Sequence, residues 1–178
     1  MYELVKCYAE DAPATRFIGK KYGDADRDEG GGFGKQWEDF HQNGWDALLE
    51  QAAAGAETLF PDGLSHVGLM RWAVEDAGEP FEYWVGIFAP PDAPVPEGFE
   101  FVDFAPAKLG VVWIRGAQGE IYGNEAACAD YLEKNGMKVA SVDGKGRAWY
   151  FFERYVCERF MPEGAEDQSI LDICHYIE

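Results

Sequence analysis

The chain alternates apolar runs with polar, glycine-rich stretches, and the spacing of apolar positions changes from run to run. Residues 16–22 form a short apolar-rich run that predicts a strand. In residues 33–54 the apolar positions recur every three or four residues, which predicts a helix with one apolar face. Asn43-Gly44 falls inside this pattern and predicts a bend or a break. The apolar stripe consists of Phe33, Trp37, Phe40, Trp45, Leu48 and Ala52.

Two further apolar runs precede a proline-rich connector. Residues 64–74 and 81–88 predict strands, and Glu75-Asp76-Ala77-Gly78 between them predicts a hairpin turn. Residues 89–96 then hold four of the nine prolines in the chain. Because proline lacks an N–H group and fixes φ, this segment is predicted to be a semi-rigid connector.

The same order of elements is predicted again after the connector. We therefore predict an α+β fold in which one domain, residues 1–178, contains two strand-helix-strand-strand halves, residues 2–88 and 97–178. Halves related by a pseudo-twofold axis leave a cleft between them, where ligand sites are common. The elements predicted after the connector are strands at 99–104 and 109–115, a polar loop at 118–124, a helix at 125–134, a loop at 138–146, and strands at 147–159 and 170–177.

Composition and charge narrow the classes of function. Hydrophobic residues make up 47% of the 178 residues and aromatic residues 15%, which indicates a packed core rather than a disordered chain. The formal net charge is −18 at pH 7. Such a surface repels nucleic-acid phosphates and anionic lipids, so neither a nucleic acid nor a membrane is predicted as a partner. The same charge attracts organic cations.

No motif for a metal or a cofactor is present, so none is predicted. The loop at residues 24–34 is acidic and glycine-rich, but it lacks the ligand spacing of an EF-hand and the lysine of a phosphate-binding loop. Met1–Tyr8 lacks the basic start and apolar run of a signal peptide, and no run approaches the length of a membrane span. These features predict a cytoplasmic protein. The four cysteines are scattered without a CxxC pair: Cys7, Cys128, Cys157 and Cys174.

Several short motifs occur in an order that resembles a known family, the gyrase-inhibitor-like or bacterial transcription-activator effector-binding domain. The resemblance covers about residues 2–178. It implies a duplicated strand-helix-strand-strand fold with an aromatic pocket between the halves, which binds lipophilic and often cationic compounds. It also implies a buried glutamate in that pocket, which only Glu153 matches. The motifs are Arg16–Gly19, Trp37 with Phe40, Glu82–Gly86, Pro94–Phe99, Phe104–Lys108, Phe152–Tyr155 and Ile170–Ile173.

Side-chain alternation suggests neighbours for Glu153. Trp149, Phe151, Glu153 and Tyr155 share one face of the predicted strand, and both faces are aromatic. We therefore expect cover on both sides and a desolvated carboxyl group with a raised pKa. Part of the aromatic set is expected to pack in the core, and Tyr83 and Trp84 point to opposite faces. The candidate ligand-binding residues are Glu153, Trp37, Tyr83, Trp84, Trp113, Trp149, Tyr150 and Phe151.

Three functions stay open from the sequence. The first is a stand-alone cytoplasmic module that binds hydrophobic or cationic aromatic small molecules. The second is a hydrolase of strained, cyclopropane-type compounds, an activity that the resemblance implies for some relatives, with Glu153 as the catalytic base. The third is a protein-interaction module in which the acidic surface engages a positively charged partner, as the resemblance implies for gyrase-binding relatives.

Overall fold

A computed structural model describes residues 1–73, 78–140 and 150–178. Within these residues eight strands form one antiparallel sheet, so the predicted α+β class is confirmed. The strands are β1 (Glu3–Ala12), β2 (Thr15–Tyr22), β3 (His66–Arg71), β4 (Glu82–Ala89), β5 (Glu100–Phe104), β6 (Ala107–Gly116), β7 (Tyr150–Tyr155) and β8 (Ser169–Ile177). The helices are α1 (Gly34–Gln42), α2 (Trp45–Ala52), α3 (Gln118–Ile121), α4 (Glu125–Lys134) and α5 (Cys157–Phe160). The sheet order is β1-β6-β8-β7-β3-β4-β2-β5.

The predicted long helix is interrupted where the sequence predicted a bend or a break. Gly44 separates α1 from α2 and has a φ of 66°, a left-handed conformation that glycine adopts without a steric penalty. Gly55 follows α2 with a φ of 90°. The connector also takes its predicted place, since β4 ends at Ala89 and regular structure resumes only at Glu100.

Three predicted boundaries were wrong. Glu3–Ala12, for which no strand was predicted, forms the full strand β1, which pairs with β6 of the other half, so each half has two strands before its helices. The strand predicted at 147–159 ends at Tyr155, and the chain turns into α5. The segment predicted as a loop at 118–124 contains the short helix α3. Residues 74–77 of the predicted hairpin and 141–149, which include Trp149, lie outside the described residues.

The two halves carry the same order of elements up to α4. The strands β1, β2, β3 and β4 of the first half correspond to β5, β6, β7 and β8 of the second. Replacing every strand by its counterpart and reading the sheet order backwards reproduces the same order. A pseudo-twofold arrangement of the halves gives this pattern. The halves meet at the central pair β3 and β7, where Gly68 lies opposite Glu153.

Helices cover both ends of one sheet face and leave its middle uncovered. Phe40 and Leu49 of α1 and α2 pack in a core with residues of β2 and β4. Cys128 and Leu132 of α4 pack in a second core with residues of β6 and β8. The strand register places both cores on the same face as Glu153. A space therefore remains above β3 and β7, between the helices of the two halves.

The opposite face of the sheet has a separate core. Leu69, Trp84 and Phe152 belong to it. Phe104 of the edge strand β5 stacks on Tyr176 of β8, with ring centroids 5.5 Å apart. Because β5 and β8 are not neighbours in the sheet, this contact requires a strongly curved sheet. None of the helices in the described residues has both the length and the apolar character that crossing a bilayer requires.

Candidate functional site

A cavity of about 910 Å³ occupies the space above β3 and β7. Glu153 and Phe151 of β7 and Tyr83 of β4 line it from the sheet, and Trp37 of α1 lines it from the first half. Glu125, the first residue of α4, lines it from the second half. The cavity therefore lies where the two halves meet. It brings together four of the predicted candidates, which are Trp37, Tyr83, Phe151 and Glu153.

Stacked aromatic rings form most of the cavity wall. The ring of Tyr83 lies parallel to that of Phe33, with centroids 4.1 Å apart. The ring of Phe151 is stacked on Trp72, with centroids 4.6 Å apart. Flat π faces of this kind bind planar apolar groups and cations. The remaining aromatic lining comes from Trp37, Phe81, Tyr122, Tyr155 and Phe160.

Glu153 lies at the sheet side of the cavity and is 5% exposed. Its Oε2 atom accepts a hydrogen bond of 2.8 Å from the Tyr155 hydroxyl and a longer one of 3.4 Å from the Tyr83 hydroxyl. The indole Nε1–H of Trp37 donates to the Tyr83 hydroxyl oxygen at 2.8 Å. A chain of donors thus runs from α1 to the carboxylate and fixes its position.

The surroundings of Glu153 hold its carboxyl group close to half-ionised at neutral pH. Burial raises its pKa from 4.5 to about 7, and the negative charge of Glu125 acts in the same direction. The hydroxyl groups of Tyr155 and Tyr83 oppose this shift because they donate to the ionised form. Both tyrosines have their own pKa raised, chiefly by burial and next by the charge of Glu153.

Three of the predicted candidates do not line the cavity. Trp84, Trp113 and Tyr150 lie on the opposite face of the sheet. Trp84 and Tyr150 each follow or precede a residue that faces the cavity, and Trp113 pairs with Asp172, whose side chain lies on the far face. Trp84 is buried there and donates to Glu82 from its indole nitrogen at 3.0 Å. Trp149 lies outside the described residues, so the structure does not place it.

The acidic, glycine-rich loop at residues 24–34 contributes to the cavity, although no role was predicted for it. Asp28 accepts hydrogen bonds from the backbone N–H groups of Gly30, Gly32 and Gly34, which lowers its pKa and closes the loop into a turn. This turn places Phe33 and the glycines of the loop in the cavity wall. Only the glycine content of the segment hinted that backbone could approach a ligand closely.

The absence of a side chain at Gly68 leaves room for the hydrogen-bonded groups of Glu153 and Tyr83. A Cβ atom at this position would lie 2.7 Å from the Tyr83 hydroxyl oxygen and 3.0 Å from Oε2 of Glu153. Tyr83 cannot move away easily, because it is stacked on Phe33 and bonded by Trp37. A side chain at this position would therefore push the two hydrogen-bonded groups apart.

We expect Gly68→Ala to destabilise the fold by roughly 1–3 kcal/mol, the usual cost of overpacking. Urea denaturation followed by circular dichroism measures this change. Gly119→Ala is the matched control, since a Cβ there meets nothing within 4 Å and its helical position favours alanine. An unchanged midpoint for Gly68→Ala would contradict the close contact around Tyr83.

The cavity contains other titratable groups, His41, His66, Arg27 and Cys157. His41 is hydrogen-bonded to Asp46 and His66 to Glu50, and the two imidazole rings lie 5.3 Å apart. In the described part of the chain, no group of three or more histidine, cysteine, aspartate or glutamate side chains is arranged to hold a metal ion.

Solved structures share this fold over nearly the whole chain. A Staphylococcus aureus protein described as a bacterial transcription regulation protein matches with a TM-score of 0.61 and 15% identity, covering 97% of this chain and 98% of its own. The protein SAV2435 bound to tetraphenylphosphonium matches with a TM-score of 0.63 and 15% identity, covering 98% and 94%. A hydrolase from Listeria innocua matches with a TM-score of 0.52 and 10% identity, covering 97% and 92%.

At these low identities the similarity establishes the fold but not the ligand. The ligand of this chain must be inferred from its own cavity residues. No family model and no curated protein matches the chain. The fold predicted from the sequence is nevertheless the fold of these bacterial proteins. The arrangement of side chains in the cavity carries the argument for function.

Proposed function

We propose that this protein binds hydrophobic or cationic aromatic small molecules in the cavity and that Glu153 anchors their positive charge. The observation that supports this most is the absence of a counter-ion for Glu153 among residues 1–73, 78–140 and 150–178. Its carboxylate contacts two neutral hydroxyl groups, those of Tyr83 and Tyr155. Keeping a buried carboxylate ionised without a cation is costly, and a cationic ligand removes that cost.

Arg154, the next residue on the same strand, shows that a buried charge with a structural role is paired within the fold. Arg154 is 2% exposed on the opposite face and forms ion pairs with Glu10, Asp172 and Asp62. Its Nη1 donates to Oε1 of Glu10 at 2.7 Å, and its Nη2 donates to Oδ2 of Asp172 at 2.9 Å. Arg154 is thus neutralised within the fold, whereas Glu153 faces an open cavity.

The aromatic rings at the cavity already hold one cation of the protein itself. The guanidinium group of Arg27 lies 4.8 Å from the ring centroid of Phe33 and 5.0 Å from that of Phe81. Both rings line the cavity. Contacts of this type contribute roughly 0.5–2 kcal/mol each, depending on desolvation. The solved structure of SAV2435 shows a protein of the same fold with an aromatic cation bound.

We expect wild-type protein to bind tetraphenylphosphonium with a micromolar or tighter dissociation constant in isothermal titration calorimetry. Triphenylphosphine oxide, a neutral compound of similar shape, should bind at least tenfold more weakly, because it gains no charge interaction with Glu153. The control variant Glu133→Gln removes an exposed carboxylate of α4 and should leave both affinities nearly unchanged. Equal affinities for the two compounds in wild type would contradict a cation site.

A second candidate function is hydrolysis of a strained ring, and the pKa of Glu153 supports it. A carboxyl group with a pKa of about 7, held by two tyrosine hydroxyls, is suited to general acid–base chemistry near neutral pH. For a cyclopropane conjugated to a carbonyl, Glu153 would take a proton from water as the water oxygen bonds to one ring carbon. The ring C–C bond breaks and its electron pair forms the C=C bond of an enolate, while the carbonyl π pair moves to oxygen. The Tyr155 hydroxyl protonates that oxygen, and the proton that Glu153 took from water passes to Tyr155, which it contacts.

Incubation with a cyclopropane-bearing alkylating agent tests this second candidate. Chromatography should show the ring-opened, hydrated product, and Glu153→Gln should abolish turnover, since glutamine cannot accept the proton from water. Tyr155→Phe keeps the carboxylate and should lower the rate in part. Tight binding of the agent without any product would leave the binding function and exclude the hydrolase.

A further inference from the structure

Glu125 is a second carboxylate in the cavity, and it comes from the opposite wall to Trp37. It is half-buried and is the first residue of α4, where the helix dipole favours a negative charge. Its backbone carbonyl accepts a hydrogen bond from His175 at 3.1 Å, which fixes this end of the helix against β8. The side chain therefore extends from an anchored backbone.

The carboxylate of Glu125 has no hydrogen-bond or ion-pair partner among the described residues. The other half-buried carboxylates in residues 1–73, 78–140 and 150–178, apart from the side chain of residue 166, have one. Asp62 pairs with Arg159, and both Glu79 and Glu82 pair with Arg71. Asp28, Asp39 and Asp46 are bonded to backbone N–H groups, Lys35 and His41, respectively. Glu125 is the exception, and it faces the cavity.

The two carboxylates also sense each other's charge. The negative charge of Glu125 raises the pKa of Glu153 more than any other charge does. The two carboxylates are therefore within electrostatic reach of one another across the cavity. Arg27, the one arginine or lysine among the described lining residues, is already bonded to Asp24 and to the Gly31 carbonyl. A single positive charge bound at Glu153 would therefore leave Glu125 without a partner.

We infer that Glu125 forms a second cation subsite, so that the ligands this cavity prefers are aromatic compounds with two positive charges. The inference rests on the proposed binding function and adds the ligand class. One charge of such a ligand pairs with Glu153 at the sheet, and the other pairs with Glu125 at the start of α4. The aromatic body between them lies against the rings of the wall.

Matched amidines test the second subsite by calorimetry. The probes are a benzene bis-amidine and a biphenyl bis-amidine, which differ in charge separation, and the corresponding mono-amidines. Measurements at about pH 8.5 keep Glu153 ionised in wild type and variants, since its pKa is about 7. We expect wild type to bind at least one bis-amidine roughly tenfold or more tightly than its mono-amidine.

Glu125→Gln should remove most of this preference by weakening the bis-amidine about tenfold, while the mono-amidine changes less than threefold. Glu133→Gln, which changes the net charge equally on an exposed position of α4, should preserve the preference. Equal binding of mono- and bis-amidines by wild type would overturn the inference, as would an equal loss for both in Glu125→Gln. In those cases tetraphenylphosphonium binding would still stand. If wild type binds none of these cations, the proposed function fails with it.

Discussion

We expect the effect of Glu153→Gln on the free energy of unfolding to depend on pH. Relative to wild type, the variant's free energy of unfolding should be about 3 kcal/mol higher at pH 8.5 than at pH 5. In the folded protein the pKa of Glu153 is about 7, against 4.5 for an unperturbed glutamate. The folded state therefore holds a proton on this group that the unfolded chain has released. Each unit of pKa difference corresponds to about 1.4 kcal/mol.

The direction follows from proton binding. Between about pH 4.5 and pH 7 the folded protein binds more protons at this site than the unfolded chain does, so the free energy of unfolding falls as pH rises. Above about pH 8 the loss is nearly complete. Glutamine keeps the shape, still accepts hydrogen bonds from Tyr83 and Tyr155, and does not titrate.

Urea denaturation at several pH values, on wild type and on Glu153→Gln, measures this difference directly. Subtracting the two curves cancels the contributions of all other titratable groups, including the many surface carboxylates. Glu133→Gln again serves as the control, because an exposed carboxylate should give a curve nearly parallel to that of wild type. Parallel curves for Glu153→Gln as well would mean that the carboxyl group is not held protonated by its surroundings.

Local patterns predicted the features of the fold that depend on neighbouring residues. The break at Gly44 and the connector with its four prolines follow from backbone constraints of single residues. The pairing of β1 with β6 of the other half joins residues about a hundred positions apart, and no local pattern contains that information. No strand was therefore predicted for Glu3–Ala12.

The candidate site divides in the same way. Alternation correctly grouped Phe151, Glu153 and Tyr155 on one face of β7, but Tyr155 was not among the candidate site residues. Alternation does not show which face the helices leave open. Trp113 lies on the other face because the register pairs it with Asp172, the partner of Arg154. This information is a property of the folded sheet.

Glu125 and Arg27 were missed for a different reason. Each lies at the end of a helix or in a loop, and its position in the cavity depends on how the backbone turns there. For Glu125 the sequence signal is a glutamate after Asn124 at the start of a helix, which is common and has an ordinary explanation in helix capping. Its lack of a partner becomes visible only when the surrounding side chains are placed.

The affinity for tetraphenylphosphonium should weaken about tenfold when the pH falls from 8 to 6. This cation has no titratable group, so the pH dependence reports on the protein alone. With a pKa of about 7, roughly nine-tenths of Glu153 is ionised at pH 8 and roughly one-tenth at pH 6. Only the ionised form attracts the cation, so binding at pH 6 should release roughly nine-tenths of a proton. Calorimetry in buffers of different ionisation enthalpy measures that proton.

Glu153→Gln should bind the same cation roughly ten- to a hundredfold more weakly than wild type at pH 8, because it lacks the charge-assisted contact. At pH 6 the difference between the two proteins should be several-fold smaller, since most of Glu153 is then protonated and neutral like glutamine. The titratable groups that face Glu153 are Glu125, Tyr83, Tyr155 and Tyr122, and His41, His66 and Arg27 also line the cavity. Any pH dependence that remains in Glu153→Gln comes from groups other than Glu153. A variant that binds as tightly as wild type at pH 8 would show that the buried carboxylate has no part in cation binding.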